Sequence, residues 1–125
     1  GLTDAQEGLY LSTRDLAKIT QLFLQKGRWQ KVQIIPEAWA QASLAPRYPT
    51  EAKGEGYGDA WWSQSYSFRG STQQAYLGKG FGGQRPILLP ELELVIVLTG
   101  WNILPGQPFF YATEAINRVT GALLN

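Results

Sequence analysis

Leu94-Val95-Ile96-Val97-Leu98 limits what this chain can fold into more than any other segment. It is apolar at every position, without the alternation of a strand that is wet on one face. Pro90-Glu91 stops the chain before it, and Thr99-Gly100 follows it. A strand over 92–99 with this pattern expects cover on both faces. The fold therefore needs layers above and below a sheet.

Neighbouring segments supply the sheet. Residues 59–68 carry the β-prone Trp61, Trp62, Tyr66 and Phe68, and Arg69-Gly70-Ser71 reads as a turn. Further strands are expected over 74–80 and, through Ile87-Leu88-Leu89, over 84–89. Helices flank them. Ser12 stands three residues before Asp15, a capping-box spacing, with Leu11 and Leu16 placed as a hydrophobic staple. Leu16, Ile19, Leu22 and Phe23 then mark one helical face over 13–26, and Gly27 is placed as its C′ stop. Pro36 and Glu37 open a helix over 36–44, anchored by Trp39 and Leu44 and ended by Pro46. Residues 45–58 read as a loop. A last helix over 109–124 carries the stripe Phe109, Ala112, Ala115, Ile116, Val119, Ala122 and Leu123. The expected class is α+β: an antiparallel sheet of three to four strands flanked by helices. The last helix covers one face. The other face asks for more than the two early helices supply.

Composition narrows the function. The chain has 125 residues, a formal net charge of +1, and no His, Cys or Met. That length is one domain or a piece of one. Cys/His zinc sites, haem thiolates and iron–sulfur clusters are excluded, as is a histidine general base from this chain. No cofactor or metal is expected. Near-zero charge argues against nucleic acid as a main partner. No apolar run approaches the roughly 18 residues of a membrane span. Gly1-Leu2-Thr3-Asp4 lacks a charged n-region and an apolar h-region. A first residue other than Met suggests a mature product or an excised fragment. Aromatic residues make up 13% of the chain, enough for a dense core or an aromatic-lined cleft.

The densest chemical signal is Gly78-Lys79-Gly80-Phe81-Gly82-Gly83-Gln84. Its glycines match G-x-G-x-x-G, but a strand follows where a dinucleotide site needs a helix N-terminus. Two readings remain: close backbone approach at a strand or bulge, and backbone N–H groups offered to a ligand oxygen.

Around this motif, several segments together resemble serine β-lactamase-like hydrolases: class C β-lactamases, their esterase relatives and the 6-aminohexanoate-dimer hydrolases. Gly8-Leu9-Tyr10-Leu11-Ser12-Thr13-Arg14-Asp15-Leu16-Ala17 is similar to the G-L-Y-L-S-x-R-D-L-A of those enzymes. Gly27-Arg28-Trp29 with Ile34-Ile35-Pro36-Glu37-Ala38-Trp39 resembles their G-x-W…I-L-P-E-x-W. Tyr57-Gly58-Asp59-Ala60-Trp61-Trp62 resembles Y-G-x-x-W-W. Gly80 to Gln84, Pro90 to Val97 and Thr99-Gly100 resemble G-x-G-G-Q…P-E-L-D-L-V-V-V-x-T-G.

The resemblance implies the β-lactamase/transpeptidase-like fold and acyl-enzyme cleavage of an amide or ester: a β-lactam, a short ester or a small amide. It also implies a nucleophile in S-x-x-K and a Tyr in Y-x-N. This sequence contains neither motif. The reading is therefore that residues 1–125 are a single C-terminal fragment of such a domain, inactive alone, whose partner is the missing N-terminal part. By the same resemblance, Lys79, Gly80, Phe81 and Gly82 form the oxyanion-hole strand, with Phe81 N–H the preferred donor. A bacterial periplasmic or secreted location is favoured over the cytoplasm.

Other residues are candidates for substrate contact. These are Tyr57, Trp61 (taken as the cleft-lining member of the Trp61/Trp62 pair, the other being core), Gln84 (equally suited to a backbone contact) and Arg85, which reads first as a solvated side chain. The rival function is a non-catalytic aromatic module for a glycan, peptidoglycan or peptide. An exposed Tyr57–Trp61–Trp62 platform over a buried glycine strand would favour that rival. A glycine strand opening on a broad apolar surface would favour the hydrolase portion. An uncovered part of the sheet would favour self-association.

Overall fold

A computed structural model describes residues 9–51, 54–106 and 110–124. Gly1–Asp4, Gly8 and Phe109, which entered the expectations above, lie outside them. Helix α1 runs Thr13–Leu24. Its N-terminus is capped as the spacing predicts. Ser12 Oγ accepts from the Asp15 N–H at 3.1 Å and donates to the Asp15 carboxylate at 2.7 Å. Lys18 Nζ lies 2.7 Å from the same carboxylate. The bonds from Lys18 and Ser12 hold the Asp15 carboxyl below its ordinary pKa. That group therefore favours the folded chain above the ordinary carboxylate range, and the contribution is lost as pH falls through its lowered folded pKa. Ser12→Ala is expected to cost about 1 kcal/mol in a thermal melt. In an NMR titration of the same variant, the Asp15 carboxyl is expected to titrate at higher pH.

Helix α1 ends two residues sooner than expected, and its C′ position falls one residue earlier. Lys26 takes the left-handed C′ position at φ 53°, and Gly27 follows at φ 81°. Lys26 N–H bonds Phe23 O at 3.0 Å and Gly27 N–H bonds Leu22 O at 2.8 Å, the two bonds of a Schellman motif. A two-residue hairpin, β1 (Arg28–Trp29) with β2 (Val32–Gln33), leads to α2 (Glu37–Leu44).

The main sheet has six strands, not three or four. They are β3 (Tyr48–Pro49), β4 (Gly56–Tyr57), β5 (Trp62–Phe68), β6 (Ser71–Leu77), β7 (Arg85–Leu89) and β8 (Leu94–Leu98). All neighbours are antiparallel and the order follows the chain, so the sheet is a meander with β3 and β8 at its edges. The two additional strands fall in the segment read as loop. A two-residue strand shows no periodicity, because its pairing is set by a neighbour distant in sequence. Strand β5 starts three residues later than expected, since Ala60 at φ 73° cannot be extended. Arg69 and Gly70, at φ 49° and 76°, turn the β5–β6 hairpin.

Faces follow from register. Trp62, Tyr66 and Phe68 of β5 share a face with Ala75 and Leu77, Ile87 and Leu89, and Leu94, Ile96 and Leu98. These meet Ala112, Ala115 and Ile116 of α3 (Ala112–Ala122) in the principal core. Helix α1 packs on β7 and β8. None of its residues belongs to that core, and Thr13 reaches Thr99, so it covers the opposite face. The opposite face of β5 and β6 carries Ser65, Ser67 and Thr72, which are exposed and polar and need no cover.

The apolar run differs from expectation. All five residues of β8 are only partly buried, and among the described residues the strand has one hydrogen-bonded neighbour, β7. Among the described residues, no helix is long and apolar enough to cross a membrane.

Candidate functional site

The glycine motif is a turn rather than a strand. Strand β6 ends at Leu77, and the β6–β7 ladder tightens beyond it. Gly78 N–H donates to Pro86 O at 3.0 Å and Gly80 N–H to Gln84 O at 2.9 Å. Gly83 N–H then closes on Gly80 O at 3.2 Å. Gly82 at φ 87° and Gly83 at φ 98° leave the extended region, which is why the expected strand stops. With Gly82 left-handed at its third position, the Gly80–Gly83 turn is of type II, and Phe81 stands at its corner.

That corner is held open by the loop after β8. Asn102 N–H donates to Gly82 O at 3.0 Å, and Gln84 Nε2 donates to Gly100 O at 2.6 Å. Ile103 Cγ2 lies 3.1 Å from where a Cβ on Gly82 would stand. Among the described residues, the Phe81 and Gly82 N–H groups meet no acceptor. Both residues line a cavity of about 400 Å³, together with Lys79, Gly80, Arg85 and Asn102. Two of those six residues are cationic and none is acidic. Two free donors in a cationic hollow can accept an anionic oxygen.

The expected site residues separate into three groups. Lys79, Gly80, Phe81, Gly82 and Arg85 come together at the cavity. Arg85 is a correction. It is 9% exposed rather than solvated, and burial pulls its guanidinium below the usual value. Gln84 braces the turn through Gly100 and is not among the cavity-lining residues. Trp61 is the second correction: 7% exposed, it packs edge-on against Phe23 at 5.0 Å and faces no cleft.

Trp62, the other member of the pair, is the one beside the site. Lys79 Nζ sits 4.1 Å from the centre of its ring, and Tyr57 packs against it at a tilt, ring centres 4.9 Å apart. Glu55 approaches Lys79 at 4.0 Å. Tyr57 thus reaches the site only through Trp62. Asn102 escaped the sequence reading. Its one signal was its place in the loop directly after the strongest strand.

Exposed apolar groups surround the turn. Phe81 is 84% and Trp101 73% exposed, and Leu104, in the same loop as Trp101, is exposed too. At this same end of β8, Thr13 Oγ1 meets Thr99 Oγ1 at 3.2 Å, so the exposed Tyr10 and Leu11 adjoin this region along the chain. A second depression, of about 580 Å³, lies along α3 between Tyr111 and Arg118. Its acid and base, Glu114 and Arg118, pair with each other at 2.8 Å. Among the described residues, no cluster of three His, Cys, Asp or Glu could hold a metal ion.

A solved structure from Bacillus anthracis, provisionally assigned as a 6-aminohexanoate-dimer hydrolase, superposes on the chain with a TM-score of 0.60. The match covers 90% of this chain at 22% identity. The fold is β-lactamase-like. The chain spans 27% of that protein's length, so the likeness concerns one part of a larger architecture. No family model matches the sequence, and no curated protein is significantly similar to it.

Proposed function

We propose that this chain is the sheet portion of a serine hydrolase that cleaves an amide or ester through an acyl-enzyme, with a β-lactam, a short ester or a small amide as substrate. It contributes half of the oxyanion hole. The observation that carries the reading is the braced turn at Phe81, a residue whose N–H has no acceptor among the described residues and which lines a cavity with Lys79 and Arg85. Attack of a nucleophilic oxygen on the substrate carbonyl moves charge onto the carbonyl oxygen. A preorganised N–H at that point stabilises the charge without reorganising at the moment of reaction. The sequence resemblance around Gly80 to Gln84 supports the same assignment.

Lys79 and Arg85 add positive potential at the cavity, which favours the developing oxyanion. Nucleophile and proton-transfer groups come from another part of the enzyme, since S-x-x-K and Y-x-N do not occur here. A donor without a nucleophile forms no acyl-enzyme. The glycan- or peptide-binding alternative loses its aromatic platform, because Trp61 is core and Trp62 lies under Lys79.

The 125-residue chain alone is expected to leave nitrocefin and p-nitrophenyl acetate at their buffer hydrolysis rates. Turnover by the isolated chain that disappears when Lys79 and Phe81 are substituted would overturn the division of labour proposed here. The reading also requires a reading frame encoding S-x-x-K and then Y-x-N, or a related Tyr motif, immediately upstream of this segment. A gene without them rules it out.

A further inference from the structure

We propose that Trp62 is a positioning residue: its ring, rather than a carboxylate, holds the Lys79 ammonium at the cavity where the substrate oxyanion forms. The proposal rests on the hydrolase reading for what Lys79 does there. It rests on contacts within this chain for how Lys79 is held.

Register brings the two side chains together. Trp62 opens β5 and pairs with Tyr57 of β4 on one side and with Leu77 of β6 on the other. Lys79 stands two residues beyond Leu77. The bonds from Gly78 N–H to Pro86 O and from Gly80 N–H to Gln84 O carry the β6–β7 ladder past Leu77, so Lys79 keeps to Leu77's face of the sheet. That makes it a diagonal neighbour of Trp62, a spacing that long and aromatic side chains bridge. Nζ accordingly lies 4.1 Å from the ring centre. Tyr57, directly opposite Trp62, packs against the same ring with centres 4.9 Å apart and limits its movement.

An aromatic partner has an electrostatic consequence. The face of an indole attracts a cation through its quadrupole and leaves the full charge on it. A carboxylate in close contact would hold the ammonium as firmly and cancel that charge. Glu55 comes only to 4.0 Å from Nζ, and both side chains are 35% exposed, so water screens the pair. Gly54, the residue before it, accepts through its O from Ser65 Oγ and Gln74 Nε2, both at 3.3 Å, which ties the Glu55 segment to the opposite face of the sheet. Lys79 therefore lines the cavity with Arg85 and Phe81 as a cation that no close counter-ion cancels.

Two measurements test this, one on the chain and one on the complete hydrolase. In NMR spectra of the 125-residue chain, the Lys79 Hε protons should resonate upfield of those of Lys18 and Lys26, which meet carboxylates rather than rings. Trp62→Leu should return them to the Lys18 and Lys26 range. Trp62→Phe should keep part of the displacement, and Glu55→Gln should leave it unchanged. Lys79 protons that are not displaced in the parent chain overturn the proposal, as does loss of the displacement in Glu55→Gln.

In the complete hydrolase, kcat for p-nitrophenyl acetate should fall about tenfold in Lys79→Met and about fivefold in Trp62→Leu. KM should stay within about twofold of the parent in both, because charge on the carbonyl oxygen develops only in the transition state. Trp62→Phe should restore most of kcat. In a Lys79→Met background, Trp62→Leu should change kcat by less than about twofold, because the group it positions is gone. A folding defect from Trp62→Leu would instead appear equally with and without Lys79. Additive losses overturn the positioning role and leave the hydrolase reading standing. A Lys79→Met enzyme at the parent kcat overturns the role given to Lys79, and this proposal with it. Displaced Lys79 protons in the chain would then locate the failure in the hydrolase reading rather than in the contact.

Discussion

The Gly27→Ala variant is expected to melt roughly 10–20 °C below the parent chain, a loss of about 3 kcal/mol. Two costs combine. Gly27 lies at φ 81°, a conformation that disfavours any Cβ. A Cβ there would also come within van der Waals radius of backbone, 2.2 Å from Ile35 O. That oxygen has little freedom to move. Gln33 Nε2 donates to it at 2.6 Å and to Lys26 O at 2.8 Å. Gly27 O in turn accepts from the Ile34 and Ile35 N–H groups at 2.9 and 3.1 Å. Relief requires opening the junction between α1 and α2.

Gly70→Ala separates the two costs. Its φ of 76° is equally unfavourable, but no atom lies within 4 Å of its added Cβ. It should lose only the conformational part, about 1 kcal/mol. Equal melting points for the two variants, read by circular dichroism, would refute the steric account.

The second large effect concerns the oxyanion donor. In the complete hydrolase proposed above, Phe81→Pro is expected to lower kcat by about 10²–10³-fold. Proline suits the second position of a type II turn, so the loop keeps its shape and loses one N–H. Phe81→Ala keeps that N–H and should stay within a few-fold of the parent. Stopped-flow acylation of p-nitrophenyl acetate reads both. If the alanine variant fell as far as the proline one, the side chain rather than the main chain would be the working group. If the proline variant were fully active, the turn would have no part in the chemistry.

The same contrast between main chain and side chain separates what was legible in the sequence from what was not. Helix α1 could be read because Ser12, Asp15 and the stripe from Leu16 to Phe23 act within one or two turns of chain. The β5–β6 hairpin was legible for a similar reason, since Arg69-Gly70 makes its own turn. The glycine motif was found, but its form was mistaken. Glycines permit both a strand and a turn, and the choice fell to Asn102 and Gln84, whose partners lie in another loop. Trp61 and Trp62 are adjacent and chemically identical. Only Phe23, from α1, decides which becomes core.

The sequence by itself determined the order of the three helices and the longer strands, the sheet-forming run at Leu94–Leu98, and the absence of S-x-x-K and Y-x-N, because each depends on residues close together in the chain. Tertiary structure alone decided that, among the described residues, this run pairs with β7 alone, that Arg85 is buried beside Lys79 at one cavity, and that Phe81 N–H meets no acceptor. Those properties depend on which distant segments arrive next to a residue. Backbone pairing and burial carry no local signature to announce them.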